Sequence, residues 1–108
     1  MNCYDELVRK LEKINHTFKD INYAFINCNK RGLGIKPFYL EPEHTDNSLE
    51  IFKENCQKIY YDNGYGSQEL FGYIVFKDGS WLERHEYDGS EWWDYKKKPA
   101  WSELLTSK

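Results

Sequence analysis

Apolar residues recur at every third or fourth position between residues 4 and 19, near the start of the chain. This spacing predicts an amphipathic helix, with one apolar stripe facing a core and charged residues on its outer face. Asn2 and Asp5, three residues apart, are typical of the residues that cap the beginning of a helix. The stripe consists of Leu7, Val8, Leu11, Ile14 and Phe18.

A second helical stripe follows the polar cluster at residues 42–48. Asn47 and Glu50 fit a helix cap and its partner three residues later. Asn63 and Gly64 are residue types that tolerate the left-handed conformation with which helices often end. We therefore predict a second helix between these two signals. Its apolar face comprises Leu49, Phe52, Cys56, Ile59 and Tyr60.

The segment between the two predicted helices favours strands. In residues 21–29 both sets of alternate positions are mostly apolar, which is typical of a strand covered on both sides, and we place this strand at 22–28. Residues 35–42 favour a second, short strand. We expect it at an edge of the sheet, because Pro37 lacks the N–H that a central strand needs.

The C-terminal third contains two Asp-Gly pairs, Asp78-Gly79 and Asp88-Gly89, between alternating apolar runs. Asp-Gly in this setting is typical of a two-residue type I′ hairpin turn, because both of its residues must adopt positive φ. Two such turns predict a three-stranded antiparallel meander. Its strands lie at about 69–77, 80–87 and 90–96.

Two-residue turns fix the register, and the register assigns each side chain to a face of the sheet. Lys77 would pair with Ser80. Val75 would then lie opposite Leu82, and we expect this more apolar face to meet the helices. The opposite face would carry an aromatic patch, which a soluble monomer rarely exposes without a use. Alternatively, residues 35–42 or the C-terminal tail cover this patch. The residues predicted there are Gly72, Ile74, Phe76, Trp81, Glu83, His85, Trp92 and Asp94.

Together these patterns predict an α+β fold in a single domain, residues 1–108. The fold would consist of an antiparallel sheet with a C-terminal three-stranded meander, and of two helices packed on one face. A chain of 108 residues has a length that suits one hydrophobic core.

Composition narrows the classes of function. The formal net charge of −3 argues against a general electrostatic grip on nucleic acid, which needs clustered lysine and arginine. No apolar run is long enough to span a membrane and the N-terminus lacks a signal peptide's apolar stretch, so we expect a cytosolic protein. Three widely spaced cysteines predict reduced thiols. Aromatic residues make up 18% of the chain, which predicts an aromatic core, an adhesive aromatic surface, or both.

Glu83 and Asp94 are predicted to face each other across the meander. Paired carboxylates can share a proton, hold a hard cation or serve in glycoside hydrolysis. We favour a solvated row beside Lys77 and Lys96, because a short meander offers no evident cleft for catalysis. The cation–π partners predicted for the neighbouring Arg84 are Tyr73 and Trp93.

The three histidines give no catalytic or metal-binding motif. We expect His85 to lie over Gly72 and to stack on Trp92 rather than act as a base, since no serine or cysteine has the spacing of a nucleophile beside it. His16 and His44 are expected on the surface of the first helix and in a loop. No cysteine or histidine spacing indicates a zinc site.

The stretch at residues 76–99, FKDGSWLERHEYDGSEWWDYKKKP, resembles a C-terminal meander found in small proteins encoded by phages and other mobile elements. The order of the strand, DG, WLERHEYDG and EWW segments carries this resemblance over about a quarter of the chain. Such proteins include inhibitors of bacterial immune systems, among them anti-CRISPR proteins. The resemblance implies a non-enzymatic protein that acts by covering a partner's surface, and it brings no active site, cofactor or metal with it.

We therefore predict an inhibitor that binds a host defence complex, such as a CRISPR nuclease or its nucleic-acid-binding groove, in the host cytosol. Aromatic residues would anchor the contact, and carboxylates would form ion pairs with a basic groove of the partner. Two other classes stay open: a nucleic-acid-binding or regulatory protein using Lys30, Arg31 and the lysines at 96–98, and a small hydrolase using Glu83 and Asp94. A homodimer is compatible with each class. The predicted partner-binding residues are Trp81, Glu83, His85, Glu86, Glu91, Trp92 and Asp94.

Overall fold

The computed structural model describes residues 1–29, 36–61 and 68–98, and these ranges contain the helices and strands of an α+β fold, as predicted. The helices are α1 (Cys3–Lys13) and α2 (Asp46–Gln57), and a short 3-10 turn (Phe18–Asp20) precedes the first strand. The strands are β1 (Ile21–Cys28), β2 (Phe38–Leu40), β3 (Leu70–Phe76), β4 (Trp81–Tyr87) and β5 (Ser90–Lys96).

The five strands form one antiparallel sheet in the order β2-β1-β3-β4-β5, so the last three are the predicted meander. Buried residues of both helices and of every strand form one continuous core on one side of this sheet. We call that side the helix face and the opposite side the open face. Fully buried core side chains include Leu7 of α1, Phe52 of α2, and Ile26, Ile74, Leu82 and Trp93 of the sheet.

The helix α1 is capped as predicted, but it ends early. The side-chain oxygen of Asn2 accepts the backbone N–H three residues later, at 3.2 Å. The prediction that the helix continues to residue 19 is wrong, because Asn15 takes the left-handed conformation with φ of 59°. The N–H of His16 then donates to the carbonyl of Leu11 at 2.9 Å, which is the closing bond of a Schellman motif.

His16 lies in a clamp beside the first turn of the meander, which corrects the prediction that it is a surface residue of α1. Its ring is 13% exposed and stacks on Phe76, with 4.2 Å between the ring centroids. Its Nδ1 lies 3.1 Å from a carboxylate oxygen of Asp20, and its Nε2 lies 3.3 Å from one of Asp78. The buried Ser80 donates its hydroxyl proton to Asp78. The clamp therefore ties the turn to the segment that follows α1.

The clamp predicts an acid-sensitive contribution to stability. The pKa of Asp20 is lowered, chiefly by the backbone N–H of Thr17 and then by the imidazole, and the pKa of Asp78 is lowered chiefly by Ser80. Since both folded-state pKa values lie below the ordinary 3.8, this stabilisation is present above that pH. It is lost as the pH falls through the folded-state values. Replacing both aspartates with asparagine should therefore flatten the acid-side fall in the free energy of unfolding.

Urea unfolding at a series of pH values between about 2 and 7 measures this slope. Asp88→Asn removes an exposed carboxylate from the second turn and is the matched control, with a wild-type slope expected. A double variant whose stability falls as steeply as that of the wild type would show that the clamp does not contribute.

The cap of α2 is Thr45, whose hydroxyl accepts the N–H of Ser48 at 3.1 Å. The predicted cap, Asn47, lies inside the first turn of the helix, so that prediction is wrong. Threonine and asparagine are both preferred cap residues, and the extended backbone that a cap requires is found at Thr45, with φ of −84° and ψ of 166°. The predicted cap partner, Glu50, instead forms an ion pair with Lys53 at 3.2 Å.

The apolar side chains predicted to face the core from the second helical stripe are buried as far as Ile59, but the prediction is wrong for Tyr60. Ile59 is buried, whereas Tyr60 is 60% exposed. Tyr61, which the helical period does not select, is buried instead, because the helix has already ended at Gln57. The predicted end signal at residues 63–64 lies outside the described residues.

The strand β1 is covered on one side only, which corrects the prediction of a strand buried on both faces. Ala24 and Ile26 are buried, whereas Tyr23 is 44% exposed on the open face. The register of β1 with β3 shifts between Ile21 and Tyr23. The strand β2 lies at the edge of the sheet, as predicted from Pro37. It therefore lies beside the open face and does not cover it. The C-terminal tail lies outside the described residues.

The first Asp-Gly turn is a three-residue loop and not the predicted two-residue type I′ turn. Gly79 has φ of 89°, but Asp78 does not adopt positive φ. The N–H of Phe76 donates to the carbonyl of Ser80 at 2.8 Å, and the N–H of Gly79 donates to that of Phe76 at 3.0 Å. This is the pattern of a turn that closes with a glycine bulge.

The longer loop has a tertiary cause. The N–H of Lys77 donates to the carbonyl of Asp20 at 2.8 Å, so this residue bonds toward the segment before β1 and not across the hairpin. The clamp around His16 holds the side chain of Asp78 at the same time. Both contacts come from residues about 60 positions away, and the local sequence of the turn does not contain them.

The second Asp-Gly turn is the predicted type I′ turn, with φ of 52° at Asp88 and 85° at Gly89. Tyr87 pairs with Ser90, and the predicted register of β4 with β5 is confirmed along both strands. The relative faces of β4 and β5 are therefore as predicted.

The extra residue in the first loop inverts the faces of β3 relative to the prediction. Ile74 pairs with Leu82, and Val75 pairs with Trp81. Ile74 and Phe76 are accordingly buried on the helix face, and Val75 lies on the open face. The prediction that Val75 meets the helices is wrong.

Candidate interaction surface

The open face collects most of the exposed aromatic side chains. The described residues expose nine large hydrophobic side chains, and six of these lie on the open face. A contiguous exposed apolar patch on a soluble protein is typical of an interaction site. The six are Tyr23, Tyr39, Phe71, Tyr73, Tyr87 and Trp92.

Trp81, His85 and Trp92, the predicted aromatic anchors, all lie on the open face, because the register of β4 with β5 is as predicted. The rings of His85 and Trp92 stack with their centroids 6.3 Å apart. Trp92 is 40% exposed, and the half-buried Trp81 donates its indole N–H to Glu83 at 3.2 Å. The predicted position of His85 over Gly72 is wrong, because Gly72 belongs to the helix-face row of the inverted β3. Binding by these residues stays a prediction.

Glu83 and Asp94 pair directly across β4 and β5, as predicted, and form an acidic centre on the open face. The ammonium group of Lys96 lies 2.9 Å from Glu83, and Nε2 of His85 lies 3.7 Å from Glu83 and 3.6 Å from Asp94. The pKa of Glu83 is lowered, first by its hydrogen bond with Lys96 and then by that with the indole of Trp81. Glu83 is therefore charged at neutral pH, and the side chains of both Glu83 and Asp94 are accessible to a cationic partner.

An open depression of about 470 Å³ lies on the open face near the first turn. Its lining includes the aromatic rings of Tyr23, Tyr73 and Trp81 and the side chains of Lys77 and Lys98. The volume falls within the range of small-molecule sites. Aromatic walls suit flat or apolar groups, and the two lysines favour an anionic group beside them.

Glu91 is buried on the helix face, at 3% exposure, which corrects its predicted place in the partner-binding surface. Its carboxylate accepts hydrogen bonds from Arg84 at 3.0 and 2.9 Å and from two backbone N–H groups at the start of β3 at 2.9 and 3.1 Å. Glu86 is exposed beside the second turn, where it accepts the N–H of Gly89 at 3.0 Å. Both residues belong to the helix-face row, so the acidic centre consists of Glu83 and Asp94 alone.

Arg84 is the centre of a buried ionic network. It bonds Glu6 of α1 at 2.9 Å as well as Glu91, and burial raises the pKa of Glu6 against the opposing charge of Arg84. Its guanidinium lies over the ring of Trp93 at 5.2 Å, as predicted. The predicted contact with Tyr73 is wrong; the second ring is that of Tyr61, at 5.0 Å. This network joins α1 to the meander beneath the open face.

Reasoning from the sequence missed the part of the open face that β1, β2 and β3 supply. A usable signal was present in β1 and β3, because aromatic residues alternate there with small or aliphatic ones. Aliphatic and small side chains fill the helix face, and the larger rings remain on the side without helices. The missed residues are Tyr23, Phe25, Tyr39, Phe71 and Tyr73.

The buried thiols are a structural feature rather than a reactive one. Cys3 and Cys56 are buried as thiols, as predicted, and the pKa of Cys56 is raised by its hydrogen bond with Cys3 and by burial. The described ranges hold no group of three or more histidine, cysteine or acidic side chains arranged to bind a metal ion.

A scan against protein-family models and searches of curated proteins and solved structures gave no significant match to this chain. Among the described residues, no helix has the length and apolar character required to cross a membrane.

Proposed function

We propose that this protein is a non-enzymatic binding protein whose open face docks on a basic surface of a partner protein. The observation that carries this proposal is that six exposed aromatic side chains and the acidic centre share one face of the sheet. Aromatic anchors commonly dominate the energy of protein interfaces. The buried network on the helix face supports the proposal, because a rigid sheet presents these anchors at little cost in conformational entropy.

Charge complementarity supports a basic partner. Lys96 forms an ion pair with Glu83, whereas Asp94, whose side chain is 42% exposed, forms no ion pair with a lysine or arginine within 4 Å among the described residues. A lysine or arginine of the partner would relieve the repulsion between the two carboxylates and pack on the ring of Trp92. Grooves that bind nucleic acid are lined with lysine and arginine, so the nucleic-acid-binding groove of a partner protein would complement the charge of the open face.

Residues 76–99 resemble a meander of small proteins from phages and other mobile elements, which include inhibitors of bacterial immune systems, and this resemblance suggests the class of partner. On that basis the protein covers a host defence complex, such as a CRISPR effector, in the host cytosol. The resemblance supports this assignment independently of the geometry. The geometry supports the open face as a binding surface. If the partner is not a defence complex, the proposal that the open face binds a protein is unaffected.

Replacing Trp92 with alanine is expected to weaken binding to the partner about 30-fold or more, which corresponds to a hot-spot loss of about 2 kcal/mol. The thermal midpoint should stay nearly unchanged, because Trp92 is outside the core. The partner is first captured from a host lysate with the tagged wild-type protein and identified. Its dissociation constant is then measured by calorimetry with the purified components.

The matched control is Ile51→Ala, which removes an exposed apolar side chain from α2, on the other side of the molecule from the open face. It should bind the partner like the wild type. A Trp92→Ala protein that binds with unchanged affinity would rule out the open face as the docking surface. Loss of binding in Ile51→Ala, with binding by Trp92→Ala unchanged, would assign the contact to the helix side instead.

The depression beside the first turn favours a second candidate function, the binding of single-stranded nucleic acid. Its aromatic rings could stack on bases while Lys77 and Lys98 contact phosphates. Lys30 and Arg31, which the sequence also suggests for this role, lie outside the described residues. Gel shifts at increasing salt distinguish the two functions, because phosphate binding weakens steeply with salt.

The hydrolase alternative stays a prediction about the acidic centre. Joint replacement of Glu83 with glutamine and Asp94 with asparagine removes their mutual repulsion but also the ion pair of Glu83 with Lys96, so we expect little net change in stability. A double variant that stays folded and loses no function of the protein would exclude a catalytic role for the pair.

A further inference from the structure

We propose that the outer edge of β5, together with a row of cations on α1, binds an extended acidic segment of a partner protein as a sixth strand. This surface differs from the proposed docking of the open face, because it uses the backbone edge of the sheet and the cations of α1. Of the open-face anchors, Trp92 also lines the groove described below, so the edge amides and the α1 cations are the groups that test this proposal separately.

Among the strands that the structure describes, β5 is the last of the sheet and pairs with β4 alone. Because Tyr87 and Ser90 flank a two-residue turn, they form a hydrogen-bonded pair, and such pairs then alternate along the hairpin. The residues between those pairs direct their backbone N–H and C=O groups away from β4, toward the outer edge. These residues are Glu91, Trp93 and Tyr95.

Within the described residues, the outer edge of β5 has no backbone partner. In the part of the chain that the structure describes, no backbone hydrogen bond joins β5 to an element other than β4. The side chains of Glu91, Trp93 and Tyr95 all lie on the helix-face side, where they hold the strand against the core. A seven-residue unpaired edge on a well-supported strand is a ready template for strand addition.

A groove of about 220 Å³ runs between this edge and α1, and its lining is basic. Arg9, Lys10 and Lys13 of α1 line it, and none of the three takes part in an ion pair within the described ranges. The one carboxylate in the lining, that of Glu6, is already bonded to Arg84. The groove therefore selects acidic side chains on the helix side of an added strand.

The same charges disfavour a second copy of this chain as the occupant. Antiparallel pairing of two β5 edges about a two-fold axis would bring the α1 helices of the two copies to the same side of the joined sheet. Arg9, Lys10 and Lys13 of both copies would then converge on one groove without an acidic counterpart. The repulsion between these like charges would weaken the dimer, whereas an acidic strand would be attracted by all three cations.

The proposal is tested with a synthetic peptide of seven alternating residues, acetyl-EVEVEVE-amide, added to the full chain labelled with ¹⁵N. The amide signals of Glu91, Trp93 and Tyr95 should shift, and their hydrogen exchange should slow, as their outward N–H groups become bonded. The corresponding lysine peptide, KVKVKVK, should bind about tenfold more weakly or not at all at low salt.

Two further peptides test backbone pairing directly. One carries N-methyl groups on its glutamates and the other on its valines, with the same charge in both. Since a strand that pairs on one edge uses alternate N–H groups, one of the two should lose binding and the other should keep it. If both bind like the unmethylated peptide, the contact is purely electrostatic and strand addition is excluded.

The double variant Arg9→Glu with Lys13→Glu should weaken binding of EVEVEVE by about tenfold, and added salt should reduce the difference. The matched control is Lys19→Glu with Lys58→Glu, which changes the net charge equally away from the groove and should leave the affinity within about twofold. Unchanged edge amides at millimolar peptide would overturn the proposal. A concentration-dependent dimer in sedimentation, with these same amides protected, would assign the edge to a second copy instead.

Discussion

Replacing Arg84 with methionine is expected to lower the free energy of unfolding by about 3–5 kcal/mol, because it leaves buried carboxylates without their cation. The guanidinium is 1% exposed and bonds Glu91, which is fully buried, and Glu6, which is 14% exposed. Glu91 also holds two backbone N–H groups of β3, so it cannot turn away to solvent without breaking those bonds. Urea unfolding of the two proteins measures the difference.

The pH dependence of that loss identifies its cause. Burial raises the pKa of Glu6, and Arg84 opposes the rise, so the rise becomes larger in the variant. A carboxyl with a raised folded-state pKa contributes its stability below the ordinary value of 4.5 and loses it as the pH rises through the folded-state value. The deficit of the Arg84→Met variant should therefore shrink as the pH is lowered from about 8 toward about 5.

Lys96→Met is the control for this experiment, since it removes a cation from an ion pair on the open face of the same sheet. Exposed ion pairs contribute little to stability, so its effect should be far smaller. Equal effects of the two substitutions, or a deficit of Arg84→Met that does not change with pH, would contradict a stabilising role for the buried network.

Gly72→Ala is expected to destabilise the protein by roughly 3 kcal/mol or more, because the added methyl group would overlap a backbone atom. A Cβ at this position would fall far inside contact distance of the carbonyl oxygen of Phe25 and lie 3.2 Å from the Cα of Ile26. These atoms belong to the central pairing of β1 with β3 and cannot move as a flexible side chain would. The sheet must therefore separate at its centre or the chain must fail to fold.

Gly79→Ala is the matched control. No atom lies within 4 Å of a Cβ built there, so its cost is limited to the strain of φ at 89°, about 1 kcal/mol. Thermal and urea unfolding of the two variants, together with their soluble yields, give the comparison. A Gly72→Ala protein as stable as Gly79→Ala would show that β1 and β3 are less closely packed than in this structure.

Arg84→Met and Gly72→Ala change residues on the helix face, but both should also affect binding through the open face. Arg84 and Gly72 hold β4 and β3 in the positions from which Glu83 and Tyr73 project to the other side. Loss of partner binding in these variants should therefore follow their loss of folded protein. Trp92→Ala, in contrast, should lose binding while remaining folded, and this contrast separates the docking surface from its support.

Several predictions from the sequence were correct because they depend on residues close together in the chain. The cap at Asn2 and the type I′ turn at Asp88-Gly89 need only a particular side chain or a particular φ within a few residues. The edge position of β2 follows from the missing N–H of Pro37. From the second turn alone, the register of β4 with β5 and the common face of Trp81, Glu83, His85, Trp92 and Asp94 could be derived.

The sequence by itself determined the α+β class, the meander, and the side chains that share a face of β4 and β5, because periodicity and turn chemistry are local. Only the tertiary structure decided the face of β3, the burial of Glu91 and the place of His16. A contact from Asp20 lengthened the first turn by one residue, and in a strand one residue inverts every side chain. The helices then covered one face, and the aromatic residues of β1, β2 and β3 joined those of β4 and β5 on the other.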